Sequence, residues 1–208
     1  IVSGFLVTGS LLRTTLWEFS VARALRIYPA LWIALIWTVC VIGFGFTSEP
    51  VPEFFSSMQT WKYLFKNSLM IAGAEADLPG AFADNIAPGV VNGSLWTLRH
   101  ELRLYALLAL LWLAIAHAIP SNRQLVLLQW TTLAIAVSLV LFCIYSVQQG
   151  TLPMLPKLAA MFFSGASYQL FRKKISLSIP VLLSGITALA AGALHSPAAF
   201  GSIFFLCL

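Results

Sequence analysis

Long apolar runs dominate this sequence and limit the folds that it can adopt. Residues 28–46 and 94–117 are each long enough to cross a bilayer as a helix, which takes about 20 apolar residues. Hydrophobic residues make up 60% of the chain and charged residues only 9%, whereas a soluble domain carries about 25% charged residues. The runs are continuous rather than alternating, which disfavours a transmembrane β-barrel. The pattern predicts an all-α, polytopic bundle of transmembrane helices.

The apolar runs predict about seven spans, the first and the last incomplete. They cover residues 1–12, 28–46, 94–117, 125–147, 156–171, 178–194 and a last run from residue 200. Pro29 is expected in the first turn of its helix, where its missing N–H costs nothing. Because both ends lie within apolar runs, we expect a single membrane-embedded domain over residues 1–208, truncated at both ends.

Residues 47–93 form the one long polar segment, and we expect an outward-facing loop there. It holds five of the seven acidic residues, and residues 61–73 within it suit an interfacial or re-entrant helix because they are too short to span. Seven basic residues fall in segments 13–26, 118–124 and 171–177, against three in the intervening loops. The excess of Lys and Arg predicts that the first set faces the cytoplasm.

Several function classes are disfavoured by composition and spacing. The net charge of +5 is explained by cytoplasmic loops, so no nucleic-acid partner is expected. Cys40, Cys143 and Cys207 stand alone in apolar runs, which indicates neither a metal site nor a disulfide framework. His117 and His195 are interpreted as interfacial polar residues. No phosphate-binding loop, dinucleotide fingerprint or nucleophile elbow is present.

A polar stripe marks the start of the helix predicted from residue 94, where serine is a favoured N-cap. At about 100° per residue, four polar side chains fall within an arc of about 80°: Ser94, Thr97, Glu101 and Tyr105. Arg99 and Arg103 lie on the nearly opposite face as expected membrane anchors, and His100 points sideways. A carboxylate such as Glu101, about 10 Å into a spanning helix, indicates a function. The alternative is a structural ion pair or hydrogen bond between helices.

Arg23 and Arg26 form a second constellation at the predicted cytoplasmic surface. Three residues apart on a helix, they share a face. Two guanidinium groups suit a phosphate-rich ligand, because arginine binds phosphate through two parallel hydrogen bonds. The alternative is ordinary anchoring by positive loop residues.

Four stretches together resemble the integral-membrane acyltransferases of acyltransferase family 3, which O-acylate bacterial cell-surface glycans. They are VSGFLVTGSLL at 2–12, ARALRIYPALW at 22–32, LPGAF at 78–82 with NGSLWTLRHELRLY at 92–105, and FFSGASYQL at 162–170. Their order and spacing agree along nearly the whole chain. Each motif is weak alone, and the combination of the second with the third is the specific part.

The resemblance implies a reaction and roles for individual residues. An acyl group, commonly acetyl, would pass from cytoplasmic acyl-CoA, a co-substrate rather than a bound cofactor, to a hydroxyl of a surface polysaccharide or lipid-linked sugar. Arg23 and Arg26 would hold the CoA phosphates or order the inner vestibule. Ser94, Trp96 and Tyr105 would line the substrate site, together with Thr97 from the polar stripe, and Glu101 would orient the catalytic base. For Trp96, membership of the interfacial aromatic belt is an equal alternative.

The family's general-base histidine lies on a helix that would precede residue 1, so this fragment alone is expected to be inactive. The expected location is the bacterial inner membrane, with the lipid bilayer, acyl-CoA and a glycan acceptor as partners. A transporter or flippase for an acyl donor or a lipid-linked sugar is the competing class, since it too would carry polar residues in a helix bundle. A purely structural scaffold would leave the polar stripe around Glu101 unexplained.

Overall fold

The computed structural model describes residues 1–70, 75–82, 91–93, 95–151 and 153–175. Apart from one isolated bridge between Thr47 and Ala81, the regular structure of these residues is helical. The elements are α1 (Val2–Leu11), α2 (Leu16–Trp37), a π-helical segment (Thr38–Gly43), α3 (Phe44–Phe46), α4 (Val51–Ser56), α5 (Met58–Leu69), α6 (Leu95–Ala118), α7 (Ser121–Gln148) and α8 (Met154–Phe171).

The prediction of an all-helical membrane protein is confirmed for the described residues. Three helical stretches are long and apolar enough to cross a membrane: Leu16–Phe46, Leu95–Ala118 and Ser121–Gln148. Helices α1, α6, α7 and α8 begin and end within a few residues of the runs predicted from the sequence. The spans predicted at 178–194 and from residue 200 lie outside the described residues.

Helix α2 begins earlier than its apolar run suggests, and this corrects the placement of Pro29. The hydroxyl of Thr15 accepts a hydrogen bond from the Glu18 amide at 3.2 Å, and the Thr15 amide donates to the Glu18 carboxylate at 2.9 Å. This reciprocal capping box starts the helix at Leu16, well before residue 28. Pro29 therefore lies inside α2 rather than in its first turn, and Arg23 and Arg26 lie on the same helix, as expected.

The segment 47–93 contains helical structure. Helix α5 confirms a short helix near residues 61–73, although it begins at Met58 and ends at Leu69. Its C-cap, Met70, takes a left-handed conformation with φ of 55°. The Thr47 hydroxyl donates to the carbonyl of Pro79 at 2.9 Å, and the Ser48 amide donates to the carbonyl of Gly80 at 3.0 Å. These bonds tie the start of the segment to residues 79 and 80.

The chain divides into two compact units. In unit 1, which comprises residues 1–14 and residues from 104 onward, α8 packs against both α1 and α7. Ile115, Leu128 and Leu170 form a buried cluster there, with Trp112 packed against it.

Unit 2, residues 15–103, has its own apolar core. Leu31, Leu35 and Val39 of the α2 region meet Phe54 of α4 and Tyr63 of α5 in that core. Leu95, Leu98 and Leu102 at the start of α6 also belong to the core or pack against it. Helix α6 runs through the boundary between the units without a break.

Candidate functional site

The polar positions predicted for α6 are partly buried in the structure. Thr97, Glu101 and Tyr105 are each half-buried, and each interacts with at least one neighbouring residue. They recur at four-residue spacing along a helix long enough to span a membrane. Ser94, the predicted N-cap, lies outside the described residues. The helix thus presents a carboxylate, a hydroxyl and a phenol along one side.

Three of the sequence stretches singled out above meet in unit 1. The Oγ of Ser3 on α1 and the Oη of Tyr105 on α6 lie 3.2 Å apart and share a hydrogen bond. The ring of Tyr105 packs against Phe162 on α8, with 5.9 Å between ring centroids. Tyr105 is therefore fixed by both neighbouring helices, although 102 residues separate it from Ser3 in sequence.

Close packing of α1 on α8 depends on two glycines. A Cβ atom on Gly4 would lie 1.9 Å from the carbonyl oxygen of Phe162, and one on Gly165 would lie 1.9 Å from the carbonyl oxygen of Ile1. The glycines of the stretches at 2–12 and 162–170 thus let the two backbones touch. Small residues at such crossings allow helices in membranes to approach closely. Sequence reasoning missed this contact, although Gly4 and Thr8 show the four-residue spacing typical of it.

The two arginines predicted to bind phosphate differ in environment within unit 2. Arg23 is half-buried, its guanidinium lies 5.7 Å from the centroid of the Phe19 ring, and its buried Nε has no hydrogen-bond partner. Arg26 is exposed. Arg23 therefore combines aromatic packing with a free donor, and Arg26 is the more accessible of the two cations.

The start of α6 brings further nitrogen atoms into unit 2. Arg99 and His100 are half-buried, and both Arg99 Nε and His100 Nδ1 are buried without a hydrogen-bond partner. Trp96 is 37% exposed and meets His100 edge-on at 5.8 Å between ring centroids. Arg103 is exposed, as an anchoring arginine would be. Arg99 and Arg103 thus occupy different environments.

Acidic and metal-ligating side chains do not cluster in the described part of the chain. No group of three or more His, Cys, Asp or Glu residues there has the geometry to hold a metal ion.

The sequence as a whole decides the family. Residues 1–207 match the sequence profile of the acyltransferase domain of acyltransferase family 3. The chain belongs to this acyltransferase family. No curated protein and no solved structure matches it.

The contacts in unit 1 join separate stretches of the acyltransferase domain. Ser3, Gly4, Tyr105, Phe162 and Gly165 come from three separate stretches of an acyltransferase domain, and they contact one another directly. The half-buried carboxylate of Glu101 lies one helical turn before Tyr105 on α6. Ser3, Tyr105 and Phe162 form the candidate site within unit 1, and Glu101 is a candidate residue of unit 2.

Proposed function

We propose that this protein transfers an acyl group, commonly acetyl, from cytoplasmic acyl-CoA to a hydroxyl of a cell-surface polysaccharide or another glycan. The supporting observation is the half-buried polar side of α6, with Thr97, Glu101 and Tyr105, inside a membrane-embedded acyltransferase domain. A buried carboxylate in a span is expensive to keep and tends to mark a function. The proposed setting is a multi-pass protein of the bacterial inner membrane with about seven spans.

The proposed reaction is a single transfer of the acyl group from the CoA sulfur, which is the leaving group, to the acceptor oxygen, which is the nucleophile. A general base accepts the proton of the acceptor hydroxyl, and the oxygen attacks the thioester carbonyl. The carbon–sulfur bond breaks as the carbon–oxygen bond forms, and the CoA sulfur leaves as a thiol after taking up the proton. No oxidant, reductant or metal is required for this balance.

Glu101 is proposed as a positioning residue that orients the base, in the manner in which a carboxylate orients an imidazole in a catalytic triad. Tyr105, Thr97, Ser94 and Trp96 are proposed to line the substrate site. The bond from Tyr105 to Ser3 and its packing on Phe162 would hold the phenol in place.

Arg23 and Arg26 are proposed to contact the phosphates of CoA. The exposure of Arg26 supports this role, because its guanidinium is accessible to an incoming phosphate oxygen. Anchoring of α2 at the membrane surface by positive charge is the competing explanation for both arginines.

A transporter or flippase for the acyl donor or a lipid-linked sugar is the second candidate function. Polar residues within a helix bundle favour it as much as they favour an enzyme. The two are separated by the fate of the thioester, because a transporter moves its cargo without breaking the carbon–sulfur bond.

The test supplies the purified full-length protein with acetyl-CoA labelled in the acetyl group and with cell-surface glycan as acceptor. We expect free CoA thiol and labelled glycan to form in equal amounts. Movement of label across proteoliposomes with the thioester intact would instead establish the transporter. Release of free acetate without labelled glycan would refute transfer to a glycan hydroxyl.

A further inference from the structure

A cleft of about 310 Å³ lies in unit 1 where α1 and α8 end. Arg13 follows the C-cap of α1, and Arg172 is the C-cap of α8; both line this cleft. Phe5 and Leu6 add apolar surface to its lining. The cleft thus combines two exposed guanidinium groups with a hydrophobic wall.

The charge in this cleft is unbalanced. No carboxylate lines it, and neither Arg13 nor Arg172 forms an ion pair within the described part of the chain. Each helix C-terminus carries the equivalent of roughly −0.5 elementary charge, so the two termini together offset only about half of the two arginine charges. The cleft therefore keeps a net positive charge that compensation of the helix dipoles does not explain.

A buried side chain without a partner also lines the cleft. Gln169 on α8 is only 7% exposed, and its Oε1 has no hydrogen-bond partner. Its amide nitrogen lies close to α1, since a Cβ on Gly9 would approach Nε2 to 2.6 Å. A buried amide oxygen without a hydrogen-bond partner destabilises the fold, and a ligand that donates a hydrogen bond to it would remove this penalty.

We propose that Arg13 and Arg172 bind a phosphate group, with Gln169 bonding a hydroxyl or amide N–H of the same ligand. Arginine suits phosphate because its planar fork forms two parallel, charge-assisted hydrogen bonds. A free inorganic phosphate would use the arginines alone, whereas a phosphate ester would also reach Gln169 and the apolar wall. This site is additional to Arg23 and Arg26, and it does not depend on the proposed acyl transfer.

Two kinds of ligand carry such a phosphate group: CoA and the headgroup of an anionic phospholipid. Segments 13–26 and 171–177 are both predicted to face the cytoplasm, where either would be present. The shared chemistry is a phosphate ester with a neighbouring hydrogen-bond donor. The test must therefore present the two separately.

The experiment measures binding of two probes, CoA and dihexanoyl phosphatidylglycerol, to the full-length protein in phospholipid-free detergent by isothermal titration calorimetry. The test variant is R13Q/R172Q. The control variant, R123Q/K173Q, removes the same charge from exposed residues that do not line the cleft. We expect the affinity for at least one probe to fall by about tenfold or more in the test variant, because charge-assisted hydrogen bonds to the phosphate are lost. The affinity of the control variant for the same probe should equal that of the wild type.

The identity of the affected probe assigns the source, and an effect on both indicates a site that accepts either. The proposal is overturned if neither probe binds the wild type, if R13Q/R172Q binds like the wild type, or if the control loses as much affinity. Should R13Q/R172Q fail to fold, R13K/R172K keeps both charges and removes the forked geometry. That variant is expected to bind the same probe several-fold more weakly, and unchanged binding would overturn the proposal.

Discussion

The contact between α1 and α8 yields the sharpest prediction, through Gly165→Ala. The added Cβ would lie 1.9 Å from the carbonyl oxygen of Ile1, and Cβ atoms essentially never approach other atoms closer than 3.0 Å. The difference of 1.1 Å must come from movement of helix against helix, because the opposing atom belongs to the backbone and no side-chain rotation relieves the overlap. The substitution should therefore separate two helices that pack directly.

The magnitude follows from two opposing effects. Overpacking typically costs about 1–3 kcal/mol, and the upper end applies to rigid surroundings. Alanine in place of glycine within a helix returns up to about 1 kcal/mol through helix propensity. We expect a net loss of about 2 kcal/mol, which lowers the melting temperature by roughly 4–8 °C in a chain of this length.

Thermal unfolding in detergent, followed by the loss of the monodisperse size-exclusion peak, measures the effect. Gly45→Ala is the matched control, because nothing lies within 4 Å of its Cβ position. Gly9→Ala should fall between the two, since the side chain of Gln169 that it meets can rotate away. Equal melting temperatures for Gly165→Ala and Gly45→Ala would refute the close approach of α1 and α8.

Three further predictions concern single contacts. Asn67→Ala should lower the free energy of unfolding by about 2–3 kcal/mol, because both the oxygen and the nitrogen of this buried amide form hydrogen bonds with the backbone of Glu75. Lys66→Gln should lower it by at most about 1 kcal/mol, because the ion pair with Glu75 is partly exposed. Chemical unfolding of the two variants measures both values. Burial raises the pKa of Tyr63 to about 12. The neutral Tyr63 phenol should therefore contribute fully to the free energy of unfolding below about pH 10, and this contribution should fall as the pH rises towards about 12. The ultraviolet titrations of the wild type and of Tyr63→Phe are compared. If the phenol that the variant lacks titrates near about pH 10, like an ordinary tyrosine, the prediction is contradicted. A double-mutant cycle of Ser3→Ala and Tyr105→Phe should give a coupling of about 0.5–1.5 kcal/mol, and additive losses would deny their hydrogen bond.

The helices of this protein were largely predictable from its sequence, with α2 as the instructive exception. Apolar run length located α6 and α7, because a membrane imposes that length on its spans. The same criterion missed the first part of α2, where Glu18, Arg23 and Arg26 interrupt the apolar run. The capping box of Thr15 and Glu18 was legible in the sequence and would have placed the start correctly.

The candidate site was predictable only where it depends on one helix. Periodicity alone aligned Thr97, Glu101 and Tyr105 on α6, because helix geometry fixes their directions. The partner of Tyr105 depends on tertiary packing with α1, which no local pattern encodes. Arg99 shows the same limit, since the neighbouring leucines of α6 pack on the core of unit 2 and bring its Nε into a buried position.

The proposed acyl transfer is tested most directly by kcat of Glu101→Gln in the full-length protein, with acetyl-CoA and glycan as substrates. Glu53→Gln, which neutralises an exposed carboxylate on α4, is the control for loss of charge. We predict that Glu101→Gln lowers kcat by about a hundredfold while KM for acetyl-CoA and the amount of folded protein stay near wild type, and that Glu53→Gln changes neither constant. A Glu101→Gln protein with wild-type kcat would contradict the proposed role of this carboxylate in acyl transfer.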